Sequence, residues 1–358
     1  RGRLSPLRPV VGGAGSLVKS GPGTEVLSGA NTFTGTTTVN GGALEISSVA
    51  NGGLASSLGA SSNAAANLVL NGGKLKYTGT GQSTDRLFTI DALGGAIDAS
   101  GSGALVFNNA GSVAFGAANS PRVLTLSGSG TAGNTLASIL SDNGTSATSL
   151  VKNGAGTWVL SGANIYSGGT TINDGKLQLG ADGALGATTA GVVINATNAI
   201  SNAATLDLNG KTQTVASLTF GGPGATGSSS NSVTLGTGTL TLGGNVIYDN
   251  TNGPGGAGIS GGTLLLGATR TFNIGDSALA ATELSISSVI GGTGGLIKSG
   301  GGTMVLSGAN TYNGGTVINQ GTLKLEGSGS LASGTNLTLN ATTANLAAFS
   351  LNGLNQTI

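Results

Sequence analysis

The sequence lacks cysteine and histidine altogether, and charged and aromatic residues make up only 8% and 3% of the chain. Without cysteine there is no disulfide framework and no thiolate chemistry. Without histidine there is no Ser-His-Asp or Cys-His catalysis, no histidine-containing zinc site and no usual general base near neutral pH. The composition therefore excludes the commonest catalytic arrangements.

Clusters of positive charge are also missing. The formal net charge is +1, and three of the basic residues, Arg1, Arg3 and Arg8, lie at the very start of the chain. Since phosphate groups are bound by clustered lysine and arginine, we expect neither a nucleic acid nor an anionic lipid as partner. No apolar run approaches the roughly 18 residues of a membrane helix, so no transmembrane helix is predicted.

What the sequence does contain is 69 glycines and a hydrophobic fraction of 38%. That fraction is too high for a disordered chain of low hydrophobicity and high net charge. The apolar residues occur in short groups separated by Gly, Ser, Thr and Asn, which is typical of many short strands joined by tight turns. No stretch shows a sustained helical period with caps, so the sequence predicts an all-β protein.

Internal repeats define the organisation of the chain. Three segments align without a gap, and the last two share 20 of 30 residues. They read LVKSGPGTEVLSGANTFTGTTTVNGGALEI (17–46), LVKNGAGTWVLSGANIYSGGTTINDGKLQL (150–179) and LIKSGGGTMVLSGANTYNGGTVINQGTLKL (296–325). We divide the chain into an N-terminal segment (1–16), two full units (17–149 and 150–295) and an incomplete unit (296–358). The incomplete unit suggests part of a longer chain, or a subunit whose end meets another.

Each copy is interpreted as strand, turn, strand, turn, strand. In the third strand Leu177 and Leu179 share one face while Gln178 lies on the other, so one face is core and the other faces water. One position of the first strand accepts residues as different as Glu25, Trp158 and Met304. We expect that position to be exposed, at a bulge or bend.

Strands this short bury an apolar face most easily by winding into a solenoid in which each coil stacks on the last. The predicted fold is a parallel β-helix (β-solenoid) with roughly 20 to 25 residues per coil, about 15 coils and a length on the order of 70 Å. A multi-sheet sandwich array is the structural alternative.

The three 30-residue segments resemble the autotransporter-associated β-strand repeat, also called the passenger-associated transport repeat. The flanking stretches RTFNI (270–274) and NTLASILSDNG (134–144) are similar to those that lead into that repeat in long bacterial surface proteins. The resemblance implies an exported, parallel β-helical passenger at the surface of a Gram-negative-type cell. It also implies a role as stalk, adhesin or fibre.

Motifs that could carry ligand chemistry are weak. Three G-x-G-x-x-G matches begin at Gly128, Gly222 and Gly253, but none opens a helix after a strand, and we interpret them as turns. Gly210, Lys211 and Thr212 look like the end of a phosphate-binding loop whose first glycine is replaced by Thr205, so a solvated corner is expected. No calcium-binding loop is present in the sequence.

The nearest approach to a catalytic carboxylate cluster is Asp85, Arg86, Asp91 and Asp98. Some β-helical enzymes cleave acidic polysaccharides with such groups, and hydrolysis requires two carboxyls at a controlled separation. We interpret these residues as solvated loop charges and keep a polysaccharide-active lyase or hydrolase as the alternative function.

Aromatic side chains could stack on sugars. Phe33, Tyr166 and Tyr312 recur at one repeat position, so we expect them to pack a corner. Trp158 occurs once and is the better candidate for a contact surface.

The sequence thus predicts a structural or adhesive extracellular β-solenoid, with no catalytic, cofactor-binding or metal residues and no cofactor. Possible partners are further copies, stacked end to end into a fibre, and a surface glycan or a host or matrix molecule. The expected location is extracellular, or the outer surface of a Gram-negative-type bacterium.

Overall fold

A computed structural model describes residues 10–197, 203–224, 230–251, 255–342 and 345–356. Within these ranges the chain is all-β, as predicted, apart from a 3₁₀ turn at Ala65–Asn67. It forms two compact units, Arg1–Gly169 and Thr170–Ile358. The N-terminal segment predicted at 1–16 lies largely outside the described residues, and the repeat boundaries at 150 and 296 stay predictions.

The first unit consists of short strands in which β-branched and aliphatic residues alternate with polar ones. They are β1 Leu17–Lys19, β2 Thr24–Leu27, β3 Thr37–Val39, β4 Ala43–Ile46, β5 Leu68–Leu70, β6 Lys74–Tyr77, β7 Thr80–Thr84, β8 Thr89–Ile90, β9 Gly95–Ala99, β10 Gly103–Phe107, β11 Ala114–Phe115, β12 Arg122–Ser127, β13 Asn134–Leu136, β14 Thr148–Lys152 and β15 Thr157–Leu160.

These strands belong to three parallel sheets: sheet I (β1-β3-β5-β8-β11), sheet II (β2-β4-β6-β9-β12-β14) and sheet III (β7-β10-β13-β15). The chain visits the sheets in a fixed order, since β5, β6 and β7 lie in sheets I, II and III and β8, β9 and β10 repeat that order one turn further on. This is the winding of a β-helix. Residues paired on successive turns are separated in the sequence by 19 positions (Thr24 and Ala43) to 31 positions (Ala43 and Lys74). This range is wider than the predicted length of a coil, because loops such as 47–67 enlarge some turns.

The second unit begins with β16 Thr170–Ile172, β17 Gly175–Leu179, β18 Val192–Ile194, β19 Ala203–Asp207, β20 Thr212–Val215, β21 Leu218–Gly221, β22 Ser230–Thr234, β23 Thr239–Leu242, β24 Val246–Asp249 and β25 Ala257–Ser260. It continues with β26 Thr263–Leu266, β27 Arg270–Ile274, β28 Leu284–Ile286, β29 Val289–Gly291, β30 Leu296–Ser299, β31 Thr303–Leu306, β32 Thr316–Ile318, β33 Gly321–Leu325, β34 Leu337–Leu339 and β35 Ala347–Ser350.

Its strands form sheet IV (β16-β18-β21-β24-β27-β30-β32-β34), sheet V (β17-β19-β22-β25-β28-β31-β33-β35) and sheet VI (β20-β23-β26-β29), again with parallel pairing. From β18 to β29 each turn contributes three strands, one to each sheet. From β30 onward each turn contributes two, because sheet VI ends at β29 and a corner takes its place.

The repeat motif contains four strands, not the three predicted from the sequence. Its leading Leu-x-Lys is a strand in its own right, as in β1 and β30. In the third copy β30 pairs with β32 and β31 with β33, so Leu296 lies beside Thr316, 20 residues on. One motif therefore holds two stacked turns, and it supplies its own neighbour in the ladder.

The core is mostly aliphatic, with some buried aromatic side chains, and lies between the sheets of each unit. Inward residues such as Leu44, Leu177 and Leu323 are fully buried, and their neighbours in the strand face outward. Apolar side chains on successive turns pack on one another, so each turn depends on its neighbours for burial.

Candidate functional site

The lysine of the repeat motif is buried in all three copies. Lys152 and Lys298 are 0% exposed and Lys19 is 8% exposed. The Lys298 ammonium donates to the carbonyl oxygens of Ser299 (3.0 Å), Gly300 (2.7 Å) and Gln320 (3.0 Å). Lys19 makes the same set of bonds with Ser20, Gly21 and Gly41. Lys152 likewise donates to the carbonyls of Asn153 and Gly154. Each ammonium thus holds its own corner, and Lys19 and Lys298 also hold the corner one turn away.

Burial lowers the pKa of Lys298 to about 8, and the carboxylate of Glu283 opposes that shift. Glu283 is itself buried and accepts hydrogen bonds from the backbone N–H groups of Ser277 (3.2 Å) and Thr303 (2.6 Å). The carboxylate is therefore satisfied by backbone donors, and the lysine by backbone acceptors. The two charges stabilise loops.

The asparagine of the motif bridges three turns. The side-chain oxygen of Asn310 accepts from the Ile290 N–H (2.8 Å) in the preceding turn, and its amide donates to the Ser330 carbonyl (2.6 Å) in the next. Asn31 is bonded in the same way between Val11 N–H and the Ser57 carbonyl. A buried amide here satisfies backbone groups at corners, where the ladder is interrupted.

The recurring aromatic residue packs a corner, as predicted. Phe33, Tyr166 and Tyr312 are all buried. The Tyr312 hydroxyl is 2.5 Å from the Thr316 hydroxyl, and burial raises the pKa of Tyr312. In the first copy the aromatic is phenylalanine, and the equivalent hydroxyl, that of Thr37, is buried without a hydrogen-bond partner.

The variable position of the first strand lies in the core in the second and third copies, so the prediction of an exposed, bulged position was wrong there, whereas Glu25 in the first copy is half-buried. Trp158 and Met304 are both 0% exposed, and β15 alternates regularly. The Trp158 indole N–H donates to the Ser127 carbonyl (2.9 Å), which removes Trp158 as a contact surface. Its size is tolerated because its neighbour one turn away also varies: Asn134 lies beside Trp158, and Leu284 beside Met304.

Arg86 and Asp98 are not solvated loop charges as predicted, since both are buried. The Arg86 guanidinium donates to the carbonyls of Gly59, Ala50 and Ser62 and to the Ser61 hydroxyl, which anchors the loop 47–67. Burial lowers its pKa. Asp98 pairs with Lys74 (3.1 Å) and accepts from the Ser100 hydroxyl.

The other two acids of that group have separate structural partners. Asp85 accepts from the Gly52 N–H (2.7 Å) and the Asn63 amide (3.0 Å). Asp91 accepts from the Ala92 N–H (2.8 Å) at the start of a turn. The four residues are therefore held by different structural partners.

The glycine-rich motifs form turns wherever they are described. Gly128 and Gly222 have positive φ, and the third match, which begins at Gly253, lies outside the described residues in its first two positions. Gly210 and Lys211 form the corner before β20, as predicted. In the described part of the chain no group of three acidic residues could hold a metal ion, and no helix is long and apolar enough to cross a membrane.

The recurrence of Lys and Asn in all three copies is the signal that sequence reasoning missed. Polar residues that are identical in every copy, between outward positions that vary, indicate side chains with fixed partners. Strand periodicity places Lys298 on the same face as Leu296, which is the core face. Identity in every copy together with a core-facing position is enough to predict a buried lysine from the sequence alone.

Fold and repeat together define a β-solenoid built on exported-passenger repeats. Residues 17–46, 150–179 and 296–325 match the passenger-associated-transport-repeat family. The chain is 38% identical over 345 residues to the adhesin BmaC autotransporter of Brucella suis, a match that covers 90% of this chain and 9% of the adhesin. It is 35% identical over 142 residues to the uncharacterized lipoprotein YdeK of Escherichia coli, covering 39% of this chain and 10% of the lipoprotein. No solved structure matches.

The chain carries three passenger-associated transport repeats and resembles the passenger of an autotransporter adhesin. Both findings point to the extracellular surface of a Gram-negative bacterium. The chain spans about a tenth of the length of these curated relatives.

Proposed function

We propose that the chain is a segment of an exported passenger that contributes an adhesive, non-catalytic stalk. The observation that carries the proposal is the 38% identity to an autotransporter adhesin over 90% of this chain, which extends across the turns between the repeat copies. Because the match covers 9% of that adhesin, the proposal concerns one segment of a longer surface protein.

The arrangement of the buried groups supports a mechanical role. Lys298 and Asn310 join successive turns through backbone carbonyl and N–H groups, and the turns are joined further by parallel ladders. Such a unit resists local opening because every turn is bonded to the next. The function proposed for it is to add length and to present an outer surface.

The non-catalytic part of the proposal rests on chemistry. The chain has no histidine, and the acids at 85, 91 and 98 are engaged by backbone and side-chain donors or by Lys74. Purified chain incubated with acidic polysaccharides should release no reducing ends above the buffer rate. Release that is lost on Asp91→Asn substitution would overturn this part and favour the polysaccharide-active alternative.

Adhesion is tested by displaying the whole chain on a non-adherent bacterium over immobilised glycans and extracellular-matrix proteins. The matched control displays an unrelated β-solenoid of the same length. We expect several-fold more retained cells with this chain, and equal retention would overturn the adhesive role. Negative-stain images of the purified chain test the fibre variant: filaments support end-to-end stacking, and single particles at all concentrations contradict it.

A further inference from the structure

Strand β2 of the first repeat copy has one open edge. Among the described residues it pairs with β4, and no strand lies on its other side. In the other two copies the equivalent strands, β15 and β31, also pair with a strand of the preceding turn, β13 and β28 respectively. At the open edge lies a groove of about 490 Å³, whose walls include Val11, Leu17, Glu25 and Leu27.

The corner before β1 fixes where the preceding stretch of chain belongs. The Val11 N–H donates to the side-chain oxygen of Asn31 (2.9 Å), as the Ile290 N–H does to that of Asn310 (2.8 Å). The two corners also share their sequence, Val-Val-Gly-Gly in the first copy and Val-Ile-Gly-Gly in the third. Counting back from this fixed pair gives residues 5–7 the position of β28.

We propose that residues 4–7, Leu-Ser-Pro-Leu, add a parallel strand to the open edge of β2, in the register that β28 has on β31. This segment lies outside the described part of the chain. In the proposed register Ser5 comes beside Glu25, and Leu7 comes beside Leu27. The leucine pair closes the apolar end of the groove, and the serine meets the carboxylate.

The variable position of the repeat explains why serine fits beside β2. In the third copy this position holds Met304, which lies beside the apolar Leu284. In the first copy it holds Glu25, whose place in the register is that of a core-facing residue. A carboxylate there needs a hydrogen-bond donor. Ser5 supplies a hydroxyl, whereas leucine would leave the carboxylate against an apolar neighbour.

Pro6 is compatible with this strand because of the side to which its nitrogen points. In the third copy the Ser287 N–H donates to the Ile259 carbonyl of the preceding turn. Alternate residues of a parallel strand bond to opposite neighbours, so Ser285 shares the direction of Ser287. Pro6 corresponds to Ser285, and its missing N–H therefore falls on the side away from β2. Proline removes no bond of the proposed ladder.

The chain's own segment competes well against a second copy for this edge. Three residues separate Leu7 from the fixed Val11, the same spacing as between Ile286 and Ile290 in the third copy. A segment held this close has an effective concentration in the millimolar range, which a second copy reaches only in very concentrated protein. Occupied in this way, β2 offers no open edge to a strand of another chain.

The test is cross-linking in the whole chain, which has no cysteine of its own. One variant carries Ser5→Cys and Glu25→Cys. In the proposed register their Cα atoms lie about 4.8 Å apart, inside the range of roughly 4.4–6.8 Å that a disulfide spans. The matched control carries Ser5→Cys and Leu27→Cys, where an offset of two residues puts the Cα atoms about 8 Å apart.

Mild oxidation with glutathione, followed by mass spectrometry of the unreduced protein, measures how fast each pair closes. We expect the first pair to close within single chains at least about tenfold faster than the control. Equal closure of the two pairs, or closure of neither, overturns the proposed register. Dimers joined by the disulfide would show that a second copy occupies the edge, which also overturns the proposal.

Hydrogen exchange of the β2 amides is a second measurement that needs no cysteine. Leu7→Glu puts a charge beside Leu27, so we expect exchange in β2 to become at least about tenfold faster. The control Leu4→Glu adds the same charge where the third copy carries Glu283, and it should leave exchange unchanged. Equal exchange in both variants and the wild type contradicts the proposal. Neither measurement depends on adhesion or on filaments, so this proposal and the proposed function fail separately.

Discussion

Replacing Phe33 with tyrosine should stabilise the protein. The Thr37 hydroxyl is buried without a hydrogen-bond partner, whereas the Thr316 hydroxyl at the same repeat position is 2.5 Å from that of Tyr312. The first copy therefore lacks a hydrogen bond that the third copy makes. Phe33→Tyr places a hydroxyl where the motif already accommodates one, because Tyr166 and Tyr312 occupy the equivalent site.

The magnitude follows from the cost of an unpaired buried hydroxyl. A new hydrogen bond contributes about 1 kcal/mol net, and relief of an unsatisfied group adds to it. We expect Phe33→Tyr to raise the unfolding free energy by about 1 kcal/mol. The converse change, Tyr312→Phe, should lower it by about 1 to 2 kcal/mol, because Thr316 then has the defect that Thr37 has now.

The assay is hydrogen exchange of peptides that contain residues 29–46, combined with thermal melting, because a repeat protein need not unfold in one step. Phe88→Tyr is the control: Phe88 is fully buried and packs edge-on against Phe107 at 5.7 Å. A hydroxyl added there should destabilise by about 1 to 3 kcal/mol. If Phe33→Tyr destabilises as much as this control does, the corner beside Thr37 does not accommodate the hydroxyl.

Three further outcomes are expected. Asn310→Ala should lower the free energy of unfolding by about 3 kcal/mol, because it leaves the Ile290 N–H and the Ser330 carbonyl unpaired. A loss below about 1 kcal/mol in a denaturant titration would contradict the bridging role of Asn310. The pKa of Lys298 is about 8 in the folded chain and near 10.4 in the unfolded chain. Between those pH values the unfolded chain therefore binds more protons than the folded chain. The free energy of unfolding should rise from pH 8 to 10, by at most about 3 kcal/mol. Urea titrations across that range should show the rise in wild type and not in Lys298→Met. Gly314→Ala should lower the melting temperature, since its Cβ would lie 2.3 Å from the Gly295 nitrogen, while Gly301→Ala, with 3.5 Å to the nearest atom, should not.

Most of the fold was predictable because the duplicated motif and period-two alternation both specify stacked strands. Alternation also placed Leu177 and Leu179 in the core correctly. Alternation also placed Trp158 on the core face, where it lies. The prediction of exposure failed because a repeat position can hold chemically different residues and still be buried. In a solenoid the neighbour one turn away can vary together with the residue, so variety and burial are compatible.

The candidate site was harder to predict, because its partners are backbone atoms far away in the sequence. Nothing near Arg86 in the sequence indicates that it bonds to Gly59 and Ala50, since the loop 47–67 has no regular pattern. For Lys298 the recurrence predicts burial, but it does not predict the acceptors, which are carbonyl groups that every sequence has. The sequence therefore predicts the partners of a buried charge poorly when those partners belong to the main chain.

Buried polar groups have a physical use in a core made mostly of similar aliphatic residues. A strand that slips by two residues keeps Leu and Ile facing inward, so the hydrophobic pattern alone discriminates weakly between such registers. A slip of β30 would remove the Lys298 ammonium from the carbonyls of Gly300 and Gln320, and an unpaired buried charge costs several kcal/mol. Lys298 and Asn310 should therefore select one register. The double variant Lys298→Met/Asn310→Leu keeps an apolar core, and we expect its exchange spectra over residues 296–325 to split into two populations. A single sharp population as well protected as wild type would show that the aliphatic core fixes the register without them.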